Sequence, residues 1–154
     1  MEIFTKKGEK ILIDDEDYEL VSNYTWHIGN GYAYSQRLTE DGRRISVTMH
    51  RLVMNTPIGM STDHINGIRW DNRKINLRIC DYFQNARNRG AMSTSKTGFK
   101  CVHKYRNKYR AMTELNNKNI IIGYFDDPVE AAKAYNEWAI KNHGEFACLN
   151  EINN

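Results

Sequence analysis

The period at which apolar residues recur changes twice along the chain, and those changes divide it into three segments. The stretch KILIDDEDYELVSNYTWHI opens as a short apolar strand and passes into an acid-started turn that leads toward a helix. GYAYSQRL and RISVTMH then alternate apolar with polar residues like paired strands around the turn TEDGR. Residues 1 to 50 therefore predict a small β-rich unit. Trp26, Tyr32 and Tyr34 are expected to pack its core or sheet, which explains these aromatics without a further role.

In the second segment MHRLVMNTP predicts a short helix closed before Pro57. TDHI and NLRIC read as two short strands flanking the turn INGIRWDNRKI, and the Asp-started DYFQNARNR reads as a helix. The order is strand, loop, strand, helix. The small, polar GAMSTSKTG has no apolar periodicity and predicts a linker over 90–97. In the third segment FKCVHKYR, KYRAMTEL and NIIIGYF predict three strands, the last two joined by the turn NNK. DDPVEAAKAYNEWAIKNHG predicts a helix with an Asp cap, Pro128 near its first position and Gly144 as its stop. The fold class expected is α+β: a β-rich N-terminal unit leading into a strand–strand–helix core over 1–89, then a three-stranded antiparallel sheet packed on one helix over 98–154. Ala131, Ala132 and Ala134 would let that helix lie close to its sheet.

Composition adds bounds. The chain has 154 residues, enough for one ordinary domain or two small ones, with 40% hydrophobic and 27% charged residues. No apolar run approaches a membrane span, and MEIFTKKGEKILIDDED lacks a secretory signal, so a cytoplasmic setting is expected, with no membrane partner. Cys80, Cys101 and Cys148 are too few and too scattered for a thiolate cage, so no structural zinc is expected and any metal must be held by oxygen or nitrogen. The net charge of +3 hides an asymmetry: from Arg69 to Arg110 there are 12 Lys and Arg against two acids, Asp71 and Asp81. Clustered cations of this kind favour a polyanion, because phosphates release counterions on binding them. No protein partner is implied.

Candidate chemistry sits in TDHINGIRWDNRKIN. If its two strands pair, Asp63 and His64 lie at a strand end and point to opposite faces. An Asp carboxylate and an Asn amide oxygen are hard ligands of the kind Mg²⁺ accepts, and a His can take a proton from water near neutral pH. Asp63, His64 and Asn85 supply those groups.

The spacing of Asp63, His64, Asn76 and Asn85, preceded by MHRLVM, resembles the HNH nucleases with a ββα-metal core, in particular free-standing and intron-encoded homing endonucleases of bacteriophage type. The resemblance runs from about Ile11 to Arg89. It implies His64 as general base, Asp63 and Asn85 as ligands of a divalent metal (Mg²⁺, with Mn²⁺ as the substitute), and Asn76 as the residue that ties the loop so that His64 is aimed. As a plain turn residue Asn76 would need no such role. His50 matches a His that recurs in the group, either touching phosphate or, the preferred reading, bracing the helix. Arg78, Arg87 and Arg89 are candidates to hold phosphates.

From about Ser95 to Asn150 the chain resembles the DNA-binding domain of plant ethylene-response factors, carried by IIIGYFDDPVEAAKAYNEWAIKNHG and ACLN. That resemblance implies double-stranded DNA on the sheet face turned away from the helix. Alternation places Tyr109, Ala111 and Thr113 toward the helix and Lys108, Arg110 and Met112 away from it. Lys100, His103, Lys104, Arg106, Lys118 and Asn119 are expected to extend the DNA surface. Ile121 stands where the plant domains have Trp, so base preference does not carry over.

The expected function is a metal-dependent DNA endonuclease whose N-terminal part cuts and whose C-terminal sheet binds. The alternative is a catalytically inactive DNA-binding regulator, which should have lost Asp63, His64 or Asn85. An RNA-binding module is disfavoured because the aromatics of the third segment are expected to alternate into the core rather than present stacking faces. If the protein is phage-encoded, the host cytoplasm is its setting.

Overall fold

A computed structural model describes residues 1–88, 90, 94–115 and 118–152. The chain forms two compact units, Met1–Asn85 and Ala86–Asn154. The first mixes short helices with small antiparallel sheets, and the second sets one 16-residue helix on a three-stranded antiparallel sheet. The division falls ahead of the polar stretch 90–97 expected as a linker, of which residues 91–93 lie outside the described residues.

In the first unit β1 (Glu2–Phe4) pairs with β2 (Lys10–Leu12). The short helix α1 (Tyr18–Ser22) follows, then a three-stranded sheet of β3 (His27–Gly29), β4 (Tyr32–Leu38) and β5 (Arg44–Thr48) in that order. The helix α2 (Met49–Val53) leads to the hairpin of β6 (Ser61–His64) and β7 (Leu77–Cys80), and α3 (Tyr82–Arg87) follows, its last two residues falling past the boundary of the unit. Ile11, Ile13, Val21, Trp26, Ala33, Met49, Val53 and Leu77 form the buried cluster. Removing these side chains from water is the main force holding together elements too short to be stable alone. Trp26 is buried with its indole N–H donated to the Val21 carbonyl at 2.8 Å, so its polar atom is satisfied inside the core.

The second unit has β8 (Val102–Tyr105), β9 (Lys108–Leu115) and β10 (Lys118–Phe125) in the antiparallel order β10-β9-β8, covered by α4 (Pro128–His143). Asp127 caps α4 by accepting the Glu130 amide at 3.1 Å, Pro128 opens it, and Gly144 with φ 54° ends it. Val102 and Ala111 meet Ala131 and Ala132 in the core, joined by Phe99, Tyr109, Ile122 and Phe125. Small side chains on both partners bring the helix backbone close to the sheet. No helix among the described residues is long and apolar enough to cross a membrane.

Candidate functional site

The hairpin of β6 and β7 puts Thr62 opposite Ile79, Asp63 opposite Arg78 and His64 opposite Leu77. Twelve residues then separate His64 from Leu77, and this loop is stitched rather than loose. The Ile65 amide donates to the Asn76 carbonyl at 2.8 Å, and the Asn66 amide to the Asn76 side-chain oxygen at 3.0 Å. The Asn76 side-chain nitrogen donates to the Asp71 carbonyl at 2.9 Å. Asn66 closes its own turn by accepting the Ile68 amide at 2.8 Å, and Gly67, with φ 73°, takes the left-handed conformation that a side chain would resist.

The loop is also fixed to the body of its unit. The Leu12 amide donates to the Trp70 carbonyl at 3.0 Å, and the Asn72 amide to the Leu12 carbonyl at 2.8 Å. Asp14 accepts the Lys74 amide at 2.7 Å, while the Lys74 ammonium meets Glu16 at 2.5 Å and Asp17 at 2.9 Å. The acidic run near the start of the chain thus anchors the loop. Asp71, almost wholly buried, is paired with Arg73 at 2.7 Å, and that hydrogen-bonded pairing holds its carboxyl below the usual range.

His64 is 4% exposed. Its ring meets His50 edge-on at a centroid distance of 5.1 Å, and both rings lie against Tyr32, at 5.8 and 5.2 Å. The Arg69 guanidinium covers Tyr32 at 4.7 Å and donates to the Asn30 carbonyl at 2.9 Å. Burial disfavours the charged form of each imidazole. It lowers His64 from its ordinary value, opposed by the neighbouring Asn72 amide and by the carboxylates of Asp63 and Asp71. It lowers His50 to about 4, helped by repulsion from His64 and Arg51. Both histidines are therefore neutral at pH 7. Tyr32, expected only to pack the sheet, is part of this cluster. His50 is buried beside Tyr32 and His64.

Asp63, 6% exposed, accepts from both Nε and Nη2 of Arg78 at 2.9 and 2.7 Å, both on Oδ2. Arg78, expected to face phosphate, has its side chain 11% exposed and engaged with Asp63. This pairing gives the buried carboxylate a charge-assisted partner inside the fold. Asn85 stands in α3, half-buried, its amide donating to the Asp81 carbonyl at 3.1 Å. Among the described residues no three His, Cys, Asp or Glu converge into a metal cage. The chemistry of one carboxylate and one amide oxygen fits a hard cation such as Mg²⁺, which keeps waters and takes further oxygens from a bound phosphate. A cation at Asp63 would share that carboxylate with Arg78.

On the second unit the register sorts the expected DNA-binding residues. His103, Arg110 and Tyr124 form one row across the sheet and Tyr105 faces Lys108 in the next, on the side away from α4. Asn119, opposite Glu114, shares that open side, whereas Lys104 opposite Tyr109 and Lys118 opposite Leu115 fall on the helix side of the sheet. Lys108 is paired with Asp126 at 3.1 Å. Lys100 is turned inward: its amide donates to the Asn150 side chain at 2.6 Å, its ammonium to the Arg87 carbonyl, and burial lowers its pKa. Arg87 ends α3, and Arg89 lies outside the described residues. The expectation that aromatics alternate into this core is corrected in part: Tyr105 and Tyr124 lie exposed on the open face, since Val102, Ala111 and the smaller core residues already fill the space under α4.

Tyr32 was expected only to pack the sheet and Arg69 only to add to the local charge, while Asn72 and the pairing of Arg78 with Asp63 were not foreseen. The cross-strand position of Arg78 followed from the hairpin register, but the gathering of Tyr32 and His50 around His64 joins elements far apart in the chain and left no local signal.

No family model matches the chain, and no solved structure matches it. A protein of Acanthamoeba polyphaga mimivirus, named an uncharacterized HNH endonuclease, is 28% identical over 153 residues, covering 95% of this chain and 77% of its own length. That similarity supports the HNH part of the resemblance and gives no support to the ethylene-response-factor part.

Proposed function

We propose that this chain is an HNH-type endonuclease that hydrolyses phosphodiester bonds of double-stranded DNA with a divalent metal. The observation that carries this reading is the buried His64 beside the Arg78-paired Asp63 at the end of β6, with burial lowering the His64 pKa and the following loop tied down by Asn76. A neutral imidazole can accept a proton from water, and the rigid loop keeps it in one orientation. His50 and Tyr32 exclude water from its flank and resist its protonation. Asp63 and Asn85 would hold the metal, which when bound would stabilise charge accumulating on the phosphate and leaving oxygen. Because Arg78 already pairs with Asp63, the free protein would hold the metal weakly and bound DNA would strengthen that hold. The open face of the second unit, with Arg106, Lys108 and Arg110, grips the DNA backbone.

The test is incubation of supercoiled plasmid with Mg²⁺, with and without chelator, for wild type and His64→Ala. Chelator-sensitive conversion of supercoils, slowed by roughly 10² or more in the variant while DNA affinity is nearly kept, is the expected result. A folded wild-type protein that binds the plasmid without cutting it would favour the inactive DNA-binding regulator instead.

A further inference from the structure

The open face of the second unit carries an aromatic platform that phosphate gripping does not explain. Tyr105 and Tyr124, 38% and 45% exposed, stand with ring centroids 5.3 Å apart and planes tilted by 50°. Guanidinium groups flank Tyr105: Arg110 at 5.1 Å and Arg106 at 5.6 Å from the ring centre. Ile121, 51% exposed, extends the apolar surface. The Arg110 Nε is buried with no hydrogen-bond partner among the described residues. Arg106 occupies the tip of the β8–β9 turn with φ 55°, a conformation costing on the order of 1 kcal/mol for a non-glycine residue.

Single exposed aromatics are ordinary on a protein surface, but two in contact, interleaved with arginines on an uncovered sheet, form a surface of defined chemistry. The cations disfavour a basic or neutral partner and complement phosphate. The rings offer flat π faces, and the bases of an intact duplex cover their own faces by stacking and present only edges. We infer that Tyr105 and Tyr124 stack unpaired bases of a DNA strand, with Arg106 and Arg110 held beside them for the adjoining phosphates. This rests on the proposed DNA-cleaving reading, and it gives the face a preference for locally opened or single-stranded DNA.

The full-length chain is titrated, with chelator present, against labelled oligothymidine, an abasic strand of equal length and charge, the matching RNA, and a duplex. Oligothymidine should bind about tenfold or more tighter than the abasic strand. Tyr105→Ala with Tyr124→Ala should erase that gap while leaving the salt dependence unchanged, and the double Phe variant should keep it. Equal binding of the abasic strand by wild type overturns the inference without relying on any variant. So does a gap that survives the double Ala change, or an equal loss on duplex and single strand, which would make the rings part of a duplex grip. Tighter binding of RNA overturns the assignment to DNA. Retained duplex binding in these cases leaves the nuclease reading standing, whereas failure to bind either DNA form removes both.

Discussion

His50 carries a pH dependence that can be isolated. Its folded value of about 4 lies below the ordinary 6.5, so as pH falls the unfolded chain takes up a proton before the folded one does. The associated stability is complete above about pH 6.5 and is lost as the pH drops toward 4, with an upper bound of about 3 kcal/mol. Urea midpoints at pH 7.5 and pH 5 should therefore separate more for wild type than for His50→Gln. His64 shifts in the same direction, so the variant keeps a smaller slope. An identical slope in both proteins would show that His50 is not buried in neutral form. At this scale the nature of His64 and Asp63 was legible from their adjacency and spacing. Their environment was not, because a pKa depends on neighbours such as Tyr32 and Arg78 that the fold brings up.

Among the elements, the loop from Ile65 to Asn76 is where sequence and structure meet most closely. Its turn chemistry was written in Asn66 and Gly67, and the pairing of its flanking strands followed from their short apolar runs. Asn76→Ala removes the acceptor for the amide of the exposed Asn66 and the donor to the buried Asp71 carbonyl, leaving one buried group without that partner. The expected loss is roughly 1 to 3 kcal/mol of stability, together with slower cleavage in any fraction still folded. Thermal melting checks it, and an unchanged midpoint would mean the loop is held by its other ties, through Leu12 and Asp14. The helix α4 was also legible, since Asp127, Pro128 and Gly144 each act within one turn. By contrast β1 and β3 span only three residues apiece, too short to show a period, and exist because Ile3 and Ile28 pack on the core assembled from elsewhere.

For the whole molecule, we propose a division of labour between the two compact units, the first cutting and the second binding. A fragment ending at Gly90 keeps all of α3 and the hairpin before it. It should cut DNA weakly and without selection in the presence of Mg²⁺, and should lose most of the affinity of the full chain, since the cations of the open sheet face are gone. Binding and nicking assays on the fragment and the full chain decide this. A folded fragment that binds duplex as tightly as the full chain would remove the C-terminal sheet from the account of affinity.

The sequence by itself determined the local features: the α+β alternation, the hairpin around Asp63 and His64, the capped helix that closes the second unit, and the concentration of cations from Arg69 to Arg110. Each follows from periodicity, turn residues or charge read over a few positions. Tertiary structure alone decided which cations face outward. Lys100 is folded inward and Arg78 is paired across the hairpin, while Arg106 and Arg110 stand beside exposed tyrosines. It also decided that Tyr32 and His50 close around His64. Strand register and the burial of neighbouring elements select one face for each side chain, and composition carries no information about that choice.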